Sequence, residues 1–296
     1  MGYRLRPGHR LTPTSIQTLR SVRESAEQRL PDIGTVHEYT LWANNAREHM
    51  QTVLSDEAVH QLLVTPRALA IPTMDPPAVA IININAERRD FAQHLASIID
   101  SLQEAFARWQ PDRSATIVIP DTNIFLHHEH EIERIPWRDE VAEARQFSPF
   151  RDVRIVLPIL VVDELDGHKR DETRARARRA LRTLQELLPN ASGRATLDAG
   201  DGSDGVVTIE VLVDPLDHVR LTDNDSEIVD RAIAIASLAG EYQRVVVITG
   251  DTGMAFRAAA HGVRHVKVTF PETVQKRHPR PSSSEIDVAT PTMNPG

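Results

Sequence analysis

The chain has 296 residues, 41% of them hydrophobic, and carries a formal net charge of −8 without any cysteine. This length suits one large domain or two small ones, and no apolar run approaches the roughly 20 residues of a membrane span. The basic N-terminus lacks the apolar segment of a secretory signal, so we expect a cytoplasmic protein that does not associate with membranes. The absence of cysteine excludes disulfides, thiolate zinc sites and cysteine nucleophiles.

Residues 1–112 are predicted to form a helical N-terminal region in which we recognise no chemical motif. Apolar residues recur there at helical spacing. The predicted helices cover about 13–30, 35–54 and 87–109. Four prolines between Pro66 and Pro77 predict a loop or linker, and Ala78 to Ile84 predicts a short strand.

Residues 113–270 show strands that alternate with helices. Apolar, β-branched runs predict strands at Ala115–Ile119, Val153–Leu157, Val206–Val213, Arg244–Thr249 and His265–Val268. This alternation implies the α/β class, with a mostly parallel sheet flanked by helices. The Gly-rich run at 200–205 is interpreted as a flexible connection. The Pro/Ser/Thr-rich residues 271–296 predict a disordered tail.

An acidic residue follows four of the predicted strands. Asp121 and Asp251 come at strand ends, Glu164 lies in the helix after the second strand, and Asp225 opens a later helix. Helix capping is an equal alternative for Asp121 alone, and it also fits Asp225 and Asp251. Capping does not explain Glu164, which stands inside an apolar stretch. Because the carboxyl ends of parallel strands share one edge of a sheet, we expect the four to converge.

Four converging carboxylates are predicted to form a divalent-metal site. Like charges in one crevice raise each other's pKa and destabilise the fold unless a cation neutralises them. Oxygen ligands of this kind suit Mg²⁺ or Mn²⁺ better than zinc.

Four short motifs in this order resemble a PIN domain. They are Asp121-Thr-Asn123, Val162-Asp-Glu-Leu-Asp166, Asn224-Asp225 and Thr249-Gly-Asp251. The resemblance covers about 115–268 and implies a metal-dependent ribonuclease that hydrolyses RNA phosphodiester bonds. The positions that match the family's acidic pocket are Asp121, Glu164, Asp225 and Asp251, and the matching polar positions are Asn123, Asn224 and Thr249. The long stretch from Pro189 to Gly205 is similar to the larger PIN domains attached to PhoH-type ATPases rather than to compact toxins.

RNA is the expected partner, in single-stranded form, and the net negative charge then requires a local basic patch. The arginine-rich stretch 168–182 follows Glu164 and supplies one. The candidate contacts to RNA phosphates are Lys169, Arg170, Arg174 and Arg178. A solvated helix face with internal ion pairs is an equal alternative for this stretch.

The sequence also permits other interpretations. A catalytically silent PIN scaffold that binds RNA or a protein, or a toxin-type ribonuclease held by an antitoxin, would share the same motifs. Asn123 stands where a haloacid-dehalogenase-type phosphatase needs a second aspartate, which disfavours that class. The run His127–His130 is interpreted as a polar helix face or loop rather than a transition-metal site. The helical region could pack on the nuclease domain, recruit RNA or mediate homo-oligomer formation.

Overall fold

A computed structural model describes the chain over nine segments. They are residues 5–28, 35–109, 115–142, 152–168, 173–190, 193–200, 205–214, 218–239 and 244–270. The predicted tail at 271–296 lies outside the described residues, as do Lys169, Arg170 and most of the predicted connection at 200–205. None of the helices in these segments combines the length and the apolar character needed to cross a membrane.

The N-terminal region is helical, as predicted. Its helices are α1 (Pro13–Glu27), α2 (Val36–Met50), α3 (Asp56–Leu63), α4 (Pro66–Ala70) and α5 (Pro77–Trp109). The Thr12 and Thr35 side chains cap α1 and α2 by accepting hydrogen bonds from backbone amides of the first turn. The apolar faces of α1, α2, α3 and α5 pack into one core around Leu19, Met50 and Leu95.

Two predictions for this region were wrong. The expected loop between Pro66 and Pro77 contains α4 and a 3₁₀ turn at Ile71–Thr73, and the expected strand at Ala78–Ile84 is the start of α5. Pro66 and Pro77 stand at the first positions of α4 and α5, where the missing amide hydrogen costs nothing. Buried Ala80 and Ile84 are four residues apart, which is the spacing of a helix rather than a strand.

The second half of the described chain forms a six-stranded sheet, which confirms the predicted α/β class. Its strands are β1 (Ala115–Pro120), β2 (Asp152–Pro158), β3 (Arg194–Asp198), β4 (Val207–Leu212), β5 (Arg244–Thr249) and β6 (Arg264–Lys267). The spatial order is β3-β4-β2-β1-β5-β6. Only β3, which the sequence did not predict, runs antiparallel to its described neighbour.

Helices cover this sheet and bury its central strands. They are α6 (Thr122–His127), α7 (Trp137–Glu140), α8 (Ile159–Gly167), α9 (Thr173–Leu187), α10 (Asn224–Leu238) and α11 (Thr252–Ala260). Every residue of β1 is buried, as expected for a parallel strand with both faces covered. Apolar side chains of β1, β2 and β5 form a second core with those of α6, α8 and α10.

The strand order creates a crevice where β1 and β5 end. The chain passes from β1 to β2 on one side of β1, and β5 lies on the other side. Open α/β sheets bind ligands at such a switch point, outside the carboxyl ends of the strands. The Asp121 amide donates to the Ile248 carbonyl at 2.9 Å and joins the two strand ends. The fold therefore brings the residues after β1 and β5 to one place.

Candidate functional site

Asp121 is buried at the end of β1, with an exposed fraction of 3%. Its Oδ1 accepts a hydrogen bond from the Asn123 amide at 3.1 Å and so caps α6. Its Oδ2 accepts from Thr249 Oγ1 at 2.7 Å and from Asn123 Nδ2 at 3.2 Å. Asp121 is thus both a helix cap and a buried carboxylate that two predicted polar residues hold in place.

Asp251 lies beside Asp121 at the end of β5. Its Oδ1 accepts from the Met254 amide at 2.8 Å and caps α11. Its own amide donates to Thr249 Oγ1 at 2.9 Å. The Thr249 hydroxyl therefore links the two acidic residues, because it donates to Asp121 and accepts from the backbone of Asp251.

Glu164 reaches the same crevice from α8, the helix that directly follows β2. Its Oε1 accepts a hydrogen bond from Asn224 Nδ2 at 2.6 Å, and its Oε2 accepts one from Thr122 Oγ1. Asn224 opens α10 and Thr122 opens α6. Glu164 is thus tied to the two helices whose first turns carry Asp225 and Asn123.

Asp225 is the second residue of α10, after the capping residue Asp223. Burial raises the pKa of Asp225, and the charges of Asp121, Asp223 and Asp251 raise it further. Arg257 of α11 opposes this increase, since its Nη1 donates to Asp225 Oδ2 at 2.9 Å. Carboxylates from three separate elements therefore lie close enough to influence one another.

We define the acidic pocket as Asp121, Glu164, Asp225 and Asp251. The charges of Asp121 and Asp251 act on Asp225, and Glu164 is tied to the helices that begin beside Asp121 and Asp225. No three of the four carboxylates bring their oxygens within 4.8 Å of one another. All the donors are hard oxygen atoms, with the amide of Asn123 and the hydroxyl of Thr249 beside them. This donor set fits Mg²⁺ or Mn²⁺ and does not fit a metal that prefers sulfur or imidazole.

A tighter group of ionisable residues joins the first turn of α10 to the residues that follow β4. Ligand atoms of Asp214, His218 and Glu227 all lie within 4.8 Å of one another. Glu227 Oε1 accepts from Arg231 Nε at 2.8 Å and contacts His218 Nε2 at 2.7 Å. Arg220 Nε donates to Asp214 Oδ2 at 2.8 Å. Because arginines of the chain already neutralise both carboxylates, we interpret this group as an ion-pair network rather than a metal centre.

The same network fixes the loop that precedes α10. The Leu221 amide donates to Glu227 Oε2 at 2.8 Å, and Arg220 Nη1 donates to Asp163 Oδ2 at 2.7 Å. Asp163 is the neighbour of Glu164 on α8. Arg220 and Leu221 are therefore anchored to α8 and to α10, respectively.

Two residues of the crevice were absent from the sequence prediction, Thr122 and Arg257. Thr122 stands inside the motif that begins at Asp121, and its position at the start of a helix was the available signal. Arg257 pairs with Asp225, which lies 32 residues earlier in the chain. Its sequence neighbours gave no indication of this contact.

The described part of the predicted basic patch lies on α9. Arg174 and Arg178 are exposed and make no hydrogen bond or ion pair with another described residue. Arg179 pairs with Glu131 at 3.0 Å, and Arg176 donates to the His128 carbonyl. Because α9 packs against α6 and α8, its arginines belong to the same layer of helices as Asn123 and Glu164.

In the run His127–His130, which begins at the last residue of α6, the buried residue His128 makes its contacts within the chain. His128 is buried, its Nε2 contacts Glu140 Oε1 at 3.1 Å, and its Nδ1 accepts from the His130 amide at 3.1 Å. Both of its ring nitrogens thus have partners. The interpretation of this run as a polar segment fits these contacts better than a transition-metal site does.

The family model for the PIN domain matches residues 118–269, which are 152 of the 296 residues. This chain belongs to the PIN domain family. PIN domains are generally nucleases, and they typically use divalent metals. No curated protein matches the chain, so the likeness to PhoH-associated PIN domains stays a prediction.

Proposed function

We propose that this PIN domain is a ribonuclease that hydrolyses RNA phosphodiester bonds with Mg²⁺ or Mn²⁺ bound in the acidic pocket. The main support is that Asp121 and Asp251 meet at the ends of β1 and β5, joined by Thr249, with Asp225 facing them. Burial, followed by the charges of Asp121, Asp223 and Asp251, raises the pKa of Asp225 there. Mutual repulsion between carboxylates is the property that a bound divalent cation relieves. Arg257 supplies only a single positive charge beside them.

Asp121 and Asp251 are proposed to hold the ion directly, and Glu164 and Asp225 to complete its shell directly or through water. A bound divalent ion lowers the pKa of a water molecule and neutralises charge that develops on the phosphate. The residues of the chain keep the ligands oriented. Thr249 fixes Asp121, while Asn224 and Thr122 fix both oxygens of Glu164.

Substitution of Asp121 by asparagine tests this proposal. We expect Asp121→Asn to lower Mn²⁺-dependent cleavage of single-stranded RNA by about a thousandfold, because metal stabilisation of the transition state contributes several kcal/mol. The matched control is Asp166→Asn, since Asp166 is an exposed aspartate of the same α8 helix outside the pocket. Undiminished cleavage by Asp121→Asn, or by the unmodified protein in excess EDTA, would refute the proposal.

The exposed arginines of α9 are proposed to contact phosphates of the RNA. Their test is the salt dependence of RNA binding in an Arg174→Glu/Arg178→Glu variant, measured by fluorescence anisotropy. Each lost phosphate contact lowers the slope of log K against log salt by about 0.7 for a single strand. An unchanged slope would favour the alternative of a solvated helix face.

A catalytically silent scaffold that binds RNA or a protein is the second candidate. The pair between Arg257 and Asp225 supports it, because a guanidinium already compensates one carboxylate of the pocket. RNA binding without any Mn²⁺-dependent cleavage, unaffected by Asp121→Asn, would establish this candidate over the nuclease.

A further inference from the structure

A second charged cleft lies away from the acidic pocket. We call it the arginine cleft and define it by Arg108, Arg154, Arg194 and Glu210. Arg154 is the third residue of β2, whereas the acidic pocket lies beyond the carboxyl ends of the strands. The cleft is formed where the end of α5 meets the β4 side of the sheet.

The sheet register places three of these side chains on one face. Arg194 of β3 is directly opposite Glu210 of β4. Arg154 of β2 pairs with Thr208, two residues before Glu210, so Arg154 and Glu210 point to the same side. Arg108 comes from the last turn of α5 and contacts this face through Glu210.

Arg154 is buried with an incomplete set of hydrogen bonds. Its side chain is 2% exposed, and its guanidinium lies 4.5 Å from the centre of the Trp109 ring. Its Nε donates to Glu210 Oε1 at 2.5 Å and its Nη1 to the Arg108 carbonyl at 3.2 Å. Its Nη2 is buried without a hydrogen-bond partner among the described residues. Leaving such a donor unpaired costs free energy.

The cleft also has an excess of positive charge. Glu210 is the only carboxylate among the described residues that line it. Three guanidinium groups share it, with nitrogen–oxygen distances of 2.5 Å for Arg154, 3.5 Å for Arg108 and 3.8 Å for Arg194. Among the described residues, two positive charges of the cleft therefore remain uncompensated. Arg108 and Arg194 are 44% and 40% exposed, so a solute can reach both of them.

We propose that the arginine cleft binds a phosphate group, carried by a phosphate monoester or present as free phosphate. A phosphate monoester carries a charge of about −1.5 to −2 and three strong acceptor oxygens at neutral pH, which matches the excess positive charge of Arg108 and Arg194. Guanidinium forks suit phosphate geometry. This site is independent of the metal chemistry proposed for the acidic pocket.

Isothermal titration calorimetry on the full chain tests this inference. The ligands are adenosine 5′-monophosphate, inorganic phosphate and adenosine, and EDTA is present so that no metal ion in the acidic pocket holds the phosphate. We expect the monophosphate to bind at least tenfold more tightly than adenosine. If inorganic phosphate binds with an affinity within twofold of the monophosphate, the ligand of the cleft is free phosphate. If inorganic phosphate binds at least tenfold more weakly, the ligand is a phosphate monoester.

Variants of the half-exposed arginines locate the binding, since replacing buried Arg154 endangers the fold. Arg108→Gln and Arg194→Gln are each expected to weaken monophosphate binding about tenfold, through loss of one charge-assisted contact. Arg23→Gln is the matched control, because Arg23 is a half-exposed arginine of α1 with one carboxylate partner, Glu27. Equal affinity for adenosine and its monophosphate, or equal weakening by the control, would overturn the inference.

Discussion

Asp225 and Glu227 stand two residues apart on α10, yet their pKa values shift in opposite directions. Glu227 has an exposed fraction of 1%, and its pKa is lowered from 4.5. Asp225 has an exposed fraction of 36%, and its pKa is raised from 3.8. Burial raises the pKa of both carboxyls, so burial alone cannot explain the opposite directions.

The neighbours of the two carboxylates explain the difference. For Glu227, burial is outweighed by the Leu221 amide, by His218 and by Arg231. Asp225 faces three other carboxylates and one arginine. Cationic side chains of the protein thus neutralise Glu227, whereas Asp225 is surrounded mainly by like charges. Asp225 and its acidic neighbours, rather than Glu227, are therefore the carboxylates that an external cation would stabilise.

Removing the carboxylate of Glu227 is expected to have the largest effect on stability. Glu227→Ala leaves Arg231 and His218 without their partner, and breaking a buried ion pair in this way costs about 3–5 kcal/mol. Urea denaturation measures this loss. Glu227→Gln is the matched control, since its amide oxygen can still accept from Leu221 and should preserve part of the stability. A loss below about 1 kcal/mol for Glu227→Ala would contradict the ion-pair interpretation.

The hydrogen bonds to Glu164 are expected to have an intermediate effect, on metal binding rather than on folding. Thr122→Val should weaken Mn²⁺ binding about 10- to 100-fold, because partners of a ligand orient it for the metal. Mn²⁺ titration followed by electron paramagnetic resonance gives the affinity. Thr183→Val is the control. The Thr183 hydroxyl, on α9, also donates to a glutamate, Glu133, but this glutamate is not part of the acidic pocket. Equal affinities in the two variants would remove Glu164 from the proposed metal shell.

Removing the charge of Asp225 is expected to have the smallest effect, and it depends on pH. Because the folded-state pKa is raised, the wild-type carboxyl favours folding below its ordinary value of 3.8 and loses this contribution as pH rises through the raised pKa. In EDTA, Asp225→Asn should therefore be more stable than wild type at pH 7, by at most about 1 kcal/mol for this partly exposed group. The difference should vanish near pH 3. Thermal denaturation at both pH values checks this, and lower stability of the variant at pH 7 would contradict it.

The elements that carry the acidic pocket were visible in the sequence because each depends on local pattern. Asp121 and Asp251 follow β-branched runs, so the strand ends could be located without knowing the strand order. The bridge made by Thr249 could not be derived in this way. It joins residues 128 positions apart and requires β5 to lie beside β1.

The failed predictions have local physical causes. Prolines interrupt most helices, but at the first position of α4 and α5 they do not. A short apolar run such as Ala78–Ile84 fits a strand and a buried helix equally well. The missed strand β3 is an edge strand whose residues are exposed or half-buried, so it lacks the apolar run that marks a central strand.

The last turn of α5 has a practical consequence for dividing the chain. The helix has 33 residues, which makes it about 50 Å long at 1.5 Å per residue, and it ends at Trp109. The indole of Trp109 packs in the core of the sheet, under the guanidinium of Arg154. A nuclease fragment that starts at residue 113, the predicted boundary, would lack Trp109, and a cavity would form above β2 where its indole packs. An expressible fragment should therefore keep the final turn of α5.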